Sequence, residues 1–334
     1  MVNITCLLLI INKQFKGVIN MNNFKKIGLT ALAGSLLATS AYAGAMSVAG
    51  SASIGVKNNS GSSAHGKSWT MGNQLTFSGS GETDGGINVS LSFVIDQGDD
   101  ATTGIANAPF DSHSLTLSTD SMGTLVFSGE GGSSAQSTLD GTAAGDIWDN
   151  GLGISSPSAS EAGNNSMMYT LPSLMDDLTI QASYSPGGAG GPSASAIGFT
   201  YAGIEGLSVS YGAGQTETVG SEADATTIKG SYAYGSFTFG LSQTDYDRDS
   251  SNDDEVTSYK ISYTVTDDLS ITYGSETHAT GGSTTDEEVE AISASFTSGG
   301  MTISAASIEA SGVDHTAGVG GEAERWKISA SFAF

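Results

Sequence analysis

Positive charge is what this chain has least of. It carries 11 Lys and Arg against 35 Asp and Glu. Four of those bases (Lys13, Lys16, Lys25 and Lys26) precede residue 43, and every acid follows it. Beyond that point the seven remaining bases face 35 acids, a net charge of −28. Nucleic-acid partners are excluded, because phosphate recognition needs basic density. Adhesion to an anionic membrane surface is disfavoured for the same reason. Cysteine is almost absent: the single Cys6 lies in the leading segment, so a chain starting near residue 44 has no thiol, as suits export through an oxidising compartment. Past residue 43, no apolar run approaches the ~20 residues of a membrane helix. With 46 Gly and many Ser and Thr, composition alone would also suit a disordered chain.

What is present begins with a leader. Met21-Asn-Asn-Phe-Lys-Lys26 is a basic start, Ile27 to Ala38 is a short apolar stretch, and Ala41-Tyr-Ala43 has the small-x-small pattern of a signal peptidase site. Cleavage after Ala43 would begin the mature chain at Gly44. Residues 1–20 precede a complete signal peptide, so translation is expected to start at Met21, with the upstream part a gene-start artefact. The competing reading is an extended leader with a second apolar patch at Leu7–Ile11.

Alternation of period two then runs through the rest, which argues against disorder. Ile87, Val89, Leu91, Phe93 and Ile95 share one parity, as do Tyr259, Ile261, Tyr263 and Val265, with Ser, Thr, Gly, Gln and Asn between. A soluble sandwich would alternate in the same way. The connections discriminate better. Strands are expected near 46–57, 69–79, 86–96, 111–119, 123–130, 166–172, 178–186 and 193–202. The second half follows near 207–216, 224–234, 236–246, 256–265, 269–277, 288–297, 301–310 and 323–334. That gives 16 strands, each near the ~9–11 residues that cross a membrane at a tilt, with long loops after odd strands and short turns after even ones. Sandwiches mix their loop lengths at both ends. Closure would leave no unpaired backbone edge in hydrocarbon. Trp69, Trp326, Phe334, Tyr234 and Phe237 are placed to form interfacial aromatic belts.

The final strand, Trp326-Lys-Ile-Ser-Ala-Ser-Phe-Ala-Phe334, alternates to the last residue and resembles the closing strand of outer-membrane β-barrels. Met122-Gly-Thr-Leu-Val-Phe-Ser-Gly129 resembles the strand that precedes the constriction loop in general porins of Gram-negative bacteria, most closely the alphaproteobacterial type. That family usually has a basic residue after the second Gly, where this chain has Glu130. The resemblance implies an all-β fold: a transmembrane antiparallel β-barrel of 16 strands with a long third loop folded into the lumen. It further implies residence in the outer membrane among lipid and lipopolysaccharide, a homotrimer, and Phe334 as a signal to the barrel-assembly machinery.

The matching loop is 131–165. Loops beyond ~12–15 residues usually carry function or are disordered. Glu130 stands at its base, followed by Asp140, Asp146, Asp149 and Glu161, with no Lys or Arg. Ile147, Trp148, Leu152 and Ile154 are apolar anchors that a solvated loop would not need. On the strands, Lys57, Lys229, Lys260, Arg325 and Lys327 are all out of phase with lipid-facing neighbours and so should face the lumen. A charge on the lipid face would cost ~2–4 kcal/mol at mid-membrane, so any barrel would sort them this way. As in related porins, they would also form a wall opposite the loop acids, with acids prevailing overall. The expectation is a water-filled channel for small hydrophilic solutes and ions, mildly cation-selective.

Other constellations are weaker. Asp245, Asp247, Asp249 and Asp253 resemble a run of hard oxygen ligands for Ca²⁺, without the glycine or spacing of an EF-hand. Beyond that possible calcium, no cofactor is expected. His65, His113, His278 and His315 are scattered without ligand spacing, three of them read as loop residues. No nucleophile elbow, His-Glu-x-x-His or P-loop lysine occurs, so no enzymatic activity is expected. Two alternatives remain: a surface-structural or adhesive barrel with a plugged lumen, and a substrate-specific channel. The first would want an apolar plug in place of a Gly, Ser, Ala and acid loop. The second would want an aromatic ladder inside.

Overall fold

The computed structural model describes residues 44–61, 66–96, 111–149, 151–154, 164–187, 192–218, 220–249 and 253–334. Ala43, His65 and Glu161 lie outside them. Residues 47–334 form one compact unit. Among the described residues no helix is long and apolar enough to cross a membrane, which says nothing of strands.

The chain folds into sixteen antiparallel strands. They are β1 (Ala45–Gly61), β2 (Gly66–Glu82), β3 (Asn88–Asp96), β4 (Ser112–Thr119), β5 (Gly123–Glu130), β6 (Ser166–Thr170), β7 (Leu178–Ser185) and β8 (Ser193–Ile204). Then come β9 (Leu207–Thr218), β10 (Ser221–Tyr234), β11 (Phe237–Arg248), β12 (Asp254–Thr266), β13 (Leu269–Thr280), β14 (Glu287–Ser298), β15 (Met301–Ser311) and β16 (Ala323–Ala333). Each pairs with its sequence neighbours, and β1 pairs with β16, so the sheet closes into a barrel. The seam runs from Ser51 opposite Ala333 to Gly61 opposite Ala323. Phe334 extends it: its N–H donates to the Gly50 carbonyl at 2.9 Å, and the Gly50 N–H returns a bond to the Phe334 carbonyl at 2.7 Å. Closure pairs every strand on both sides, which is what an all-β structure in hydrocarbon requires.

Alternation dictates which face is which. Ile228, Leu241, Ile261, Ile292 and Ile328 are exposed on the outer face, and their neighbours on the other parity are small or polar. Aromatic side chains gather near the turn end of β10–β12, where Phe237 stacks with Phe239 at 6.3 Å and meets Tyr263 at 4.9 Å. Toward the loop end, Tyr259 and Tyr273 lie 6.1 Å apart. Tight turns depend on glycine where the backbone is left-handed. At Gly206 (φ 76°) an added Cβ would stand 2.5 Å from the Ala233 carbonyl, so the β8–β9 turn admits no other residue without displacement.

Strict alternation of long loops and short turns does not hold. β10 begins at Ser221, as soon after the end of β9 at Thr218 as β9 begins after β8, whereas residues 171–177 make a longer link between β6 and β7. The cause is strand extension. On the loop side the ladders continue past the length that crosses a membrane, so β9 reaches Thr218 and β13 reaches Thr280. Residues expected in loops thereby satisfy their backbone groups in the sheet. The long connections 97–111, 131–165 and 312–322 remain.

Candidate functional site

The segment after β5 is tied to one strand after another. It leaves Glu130, forms a short helix α1 (Ser137–Asp140), and then runs along the polar face of the sheet. The Ala135 N–H donates to Ser183 Oγ on β7 at 2.8 Å, and Gln136 Nε2 donates to Thr227 Oγ1 on β10 at 3.0 Å. Lys229 Nζ, also on β10, donates to the Gly141 carbonyl. The Ala143 N–H reaches Ser242 Oγ on β11 at 2.8 Å, and the Ala144 N–H reaches Ser258 Oγ on β12 at 2.9 Å. Glycines on the polar face make room for it. A Cβ on Gly198 of β8 would stand 2.6 Å from the Ala135 carbonyl, and one on Gly274 of β13 would stand 2.8 Å from Ala144 Cβ.

One carboxylate collects three bonds. Glu276 on β13 is fully buried and accepts from Thr142 Oγ1, from the Ile147 N–H at 3.1 Å and from the Trp148 N–H at 2.8 Å. Within the turn it holds, the Thr142 N–H donates to Asp146 Oδ1 at 2.8 Å and the Asp146 N–H donates to Thr142 Oγ1 at 2.7 Å. Asp146 adopts a left-handed φ of 55°, which aspartate tolerates better than most residues. Just beyond, Leu152 is buried among Val289, Ala291, Ile308, Ala310 and Ala323 of β14 to β16 and Val313 of the β15–β16 connection, with Ile147, Trp148 and Ile154 packed against them.

The five bases stand on the polar face but divide into two groups. Lys229 and Lys260 lie beneath the segment and do not face it from across the barrel. Lys229 is spent on Gly141, and the Lys260 stem lies beside Gly240, near Ala143. Lys57, Arg325 and Lys327 cluster at the β1–β16 seam. Lys57 is directly opposite Lys327, and Arg325, opposite Asn59, donates from Nε to Asn59 Oδ1 at 2.8 Å. Asp146 and Asp149 are exposed. Asp149 lies within electrostatic reach of Arg325. Glu130, half-buried, ends β5 opposite His113. Asp140 ends α1, and its side chain lies outside what is described.

A family model described as Gram-negative porin matches residues 28–334. The chain belongs to that family. This porin is therefore an outer-membrane channel, and its closed 16-strand barrel is the architecture of solved porins. The anion-selective porin of Comamonas acidovorans is similar at a TM-score of 0.62 and 17% identity, over 87% of this chain and 99% of that one. OmpT of Vibrio cholerae in its trimer form gives 0.69 at 15% identity, over 87% and 100%. OmpF of Salmonella typhi, in complex with daunomycin, gives 0.70 at 10%, over 87% and 98%. At such identities the likeness is one of fold. No curated protein matches this chain by sequence.

One expectation about this porin needs correction. His278 is a buried residue of β13, its ring 6.2 Å from Trp148, and is no loop histidine. Among the described residues, no three acidic, His or Cys groups come together to hold a metal ion. Asp245 and Asp247 stand apart on β11, Asp245 accepting from Gln243 Nε2 at 3.1 Å, while Asp253 accepts from the Arg248 N–H at 3.1 Å. Arg248 itself pairs with Asp254. Sequence reasoning missed Glu276. The available signal was the one acid on the polar parity of β13, among Ser270, Thr272, Gly274, His278 and Thr280.

Proposed function

We propose that this porin is a water-filled diffusion channel with mild cation preference, narrowed by the 131–165 segment lying inside the lumen. The observation that carries the reading is the order of attachments. From Ala135 to Gly151 the segment meets β7, β8, β10, β11, β12, β13 and β16 in turn, always on the polar face. In a closed barrel such a path follows the inner wall, and the Asp146 and Asp149 carboxylates stay exposed. The seam cluster of Lys57, Arg325 and Lys327 then faces an acid rim, giving a transverse field that orients dipolar solutes. Lys229 is occupied by Gly141, and beyond residue 43 the chain carries 35 acids against seven bases, an overall excess that favours cations. Nothing in this activity acts chemically on the solute. The barrel works as a homotrimer, with part of its outer face, including β1 and β16, against neighbouring copies and the rest in lipid.

Reversal potentials across a salt gradient in a planar bilayer test this. Wild type should favour cations, and Asp146→Asn with Asp149→Asn should lower the cation-to-anion permeability ratio. An unchanged ratio would place both acids away from the narrowing. Silence from a correctly folded barrel would replace the channel reading with a plugged, structural one.

A further inference from the structure

We propose that Glu276 is the positioning residue of the constriction, and that its proton is the release for the loop. The inference rests on the channel reading above, but its physical basis is separate. Apart from Thr142, the tethers upstream of Gly145 use a neutral hydroxyl, or Lys229, on the wall side. At Glu276 alone, three donors from one turn converge on a single titratable acceptor. A carboxylate has the lone pairs for all three, whereas a carboxylic acid turns one oxygen into a donor and must give up at least one of those bonds. The turn so held carries Asp146 and leads directly to Asp149. Their position in the channel is therefore set by a residue that never touches the solute.

The partners that hold this group are a hydroxyl and two backbone N–H groups, not an ion-paired base. From the loop, Asp146 faces it. Along β13 the neighbours on its face are Gly274 and His278. Ser258 of β12 and Val289 of β14 stand directly opposite and carry no charge. Lys260 is one step away, opposite Gly274, and Glu287 is opposite His278. Protonation thus weakens the acceptor on which the three donors converge. The sign follows: the latch is closed while Glu276 is ionised and opens as pH falls.

Two readouts separate the latch from the channel. In a Trp69→Phe, Trp326→Phe background, Trp148 is the one tryptophan left, and acrylamide quenching reports its release. Quenching should rise several-fold on acidification, and the channel current should become unsteady over the same pH range. Glu276→Gln should show the released behaviour at neutral pH and lose the pH response. Thr142→Val, which removes one donor and leaves the wall intact, should move the transition to higher pH and keeps the test open if the Gln variant fails to fold. Ala144→Cys with Ser258→Cys, oxidised in a chain whose only other cysteine is Cys6, should pin the loop and abolish the pH response. A Glu276→Gln protein with steady current and wild-type quenching at every pH would overturn the proposal. So would a response that survives the disulfide. A pH-dependent quenching signal in a barrel that carries no current would support the latch and refute the channel.

Discussion

Leu152→Ala should loosen the loop while leaving the barrel as stable as before. Leu152 is 2% exposed and fills a pocket of small and β-branched side chains on β14–β16. Truncating a buried leucine to alanine typically costs ~2–5 kcal/mol. Here the neighbours include Ala291, Ala310 and Ala323, too small to close the gap. Water reaches the exposed Asp149 nearby, which favours the lower part of the range, about 2–3 kcal/mol. At tenfold per ~1.4 kcal/mol, opening of the segment should become roughly 30- to 140-fold more frequent. Leu152 lies outside the strands, so that loss falls on local opening and not on the sheet. Native-state hydrogen exchange would show faster exchange at Ile147 and Trp148 with unchanged protection in β9–β15. Equal loss of protection in the strands would refute the reasoning, because the cluster would then be part of what holds the barrel itself.

Gly198→Val should overpack the trough, since its Cβ would meet the Ala135 carbonyl at 2.6 Å. A cost of ~1–3 kcal/mol should shift α1 and alter polymer exclusion from the pore, and unchanged exclusion would contradict the contact. Ile261→Arg, on the outer face of β12, should impair assembly by ~2–4 kcal/mol. Ser262→Arg, one residue on, should assemble normally and reduce conductance; heat-modifiable migration on gels and bilayer currents distinguish the two.

Much of the strand order was legible in the sequence, because period-two alternation is a local property that survives in any register. The expected β5 (123–130) is the observed one, and most other strands start or stop within a few residues of expectation. Parity also placed Lys57, Lys229, Lys260, Arg325 and Lys327 on one face. What alternation could not supply was the partner of each. Lys229 and Lys327 look alike in sequence, yet one is bound under the loop and the other stands in the seam cluster beside Lys57. Glu276 looked like one acid among 35. Its role exists only because the register of β12, β13 and β14 brings it beneath a turn more than a hundred residues earlier in the chain. The sequence by itself determined the barrel, its apolar outer face and its acid excess, all of which are sums or repeats of single-residue properties. Where the loop is anchored, which bases it consumes and which acids it leaves exposed are properties of pairs distant in sequence, and only the closed tertiary structure decided them.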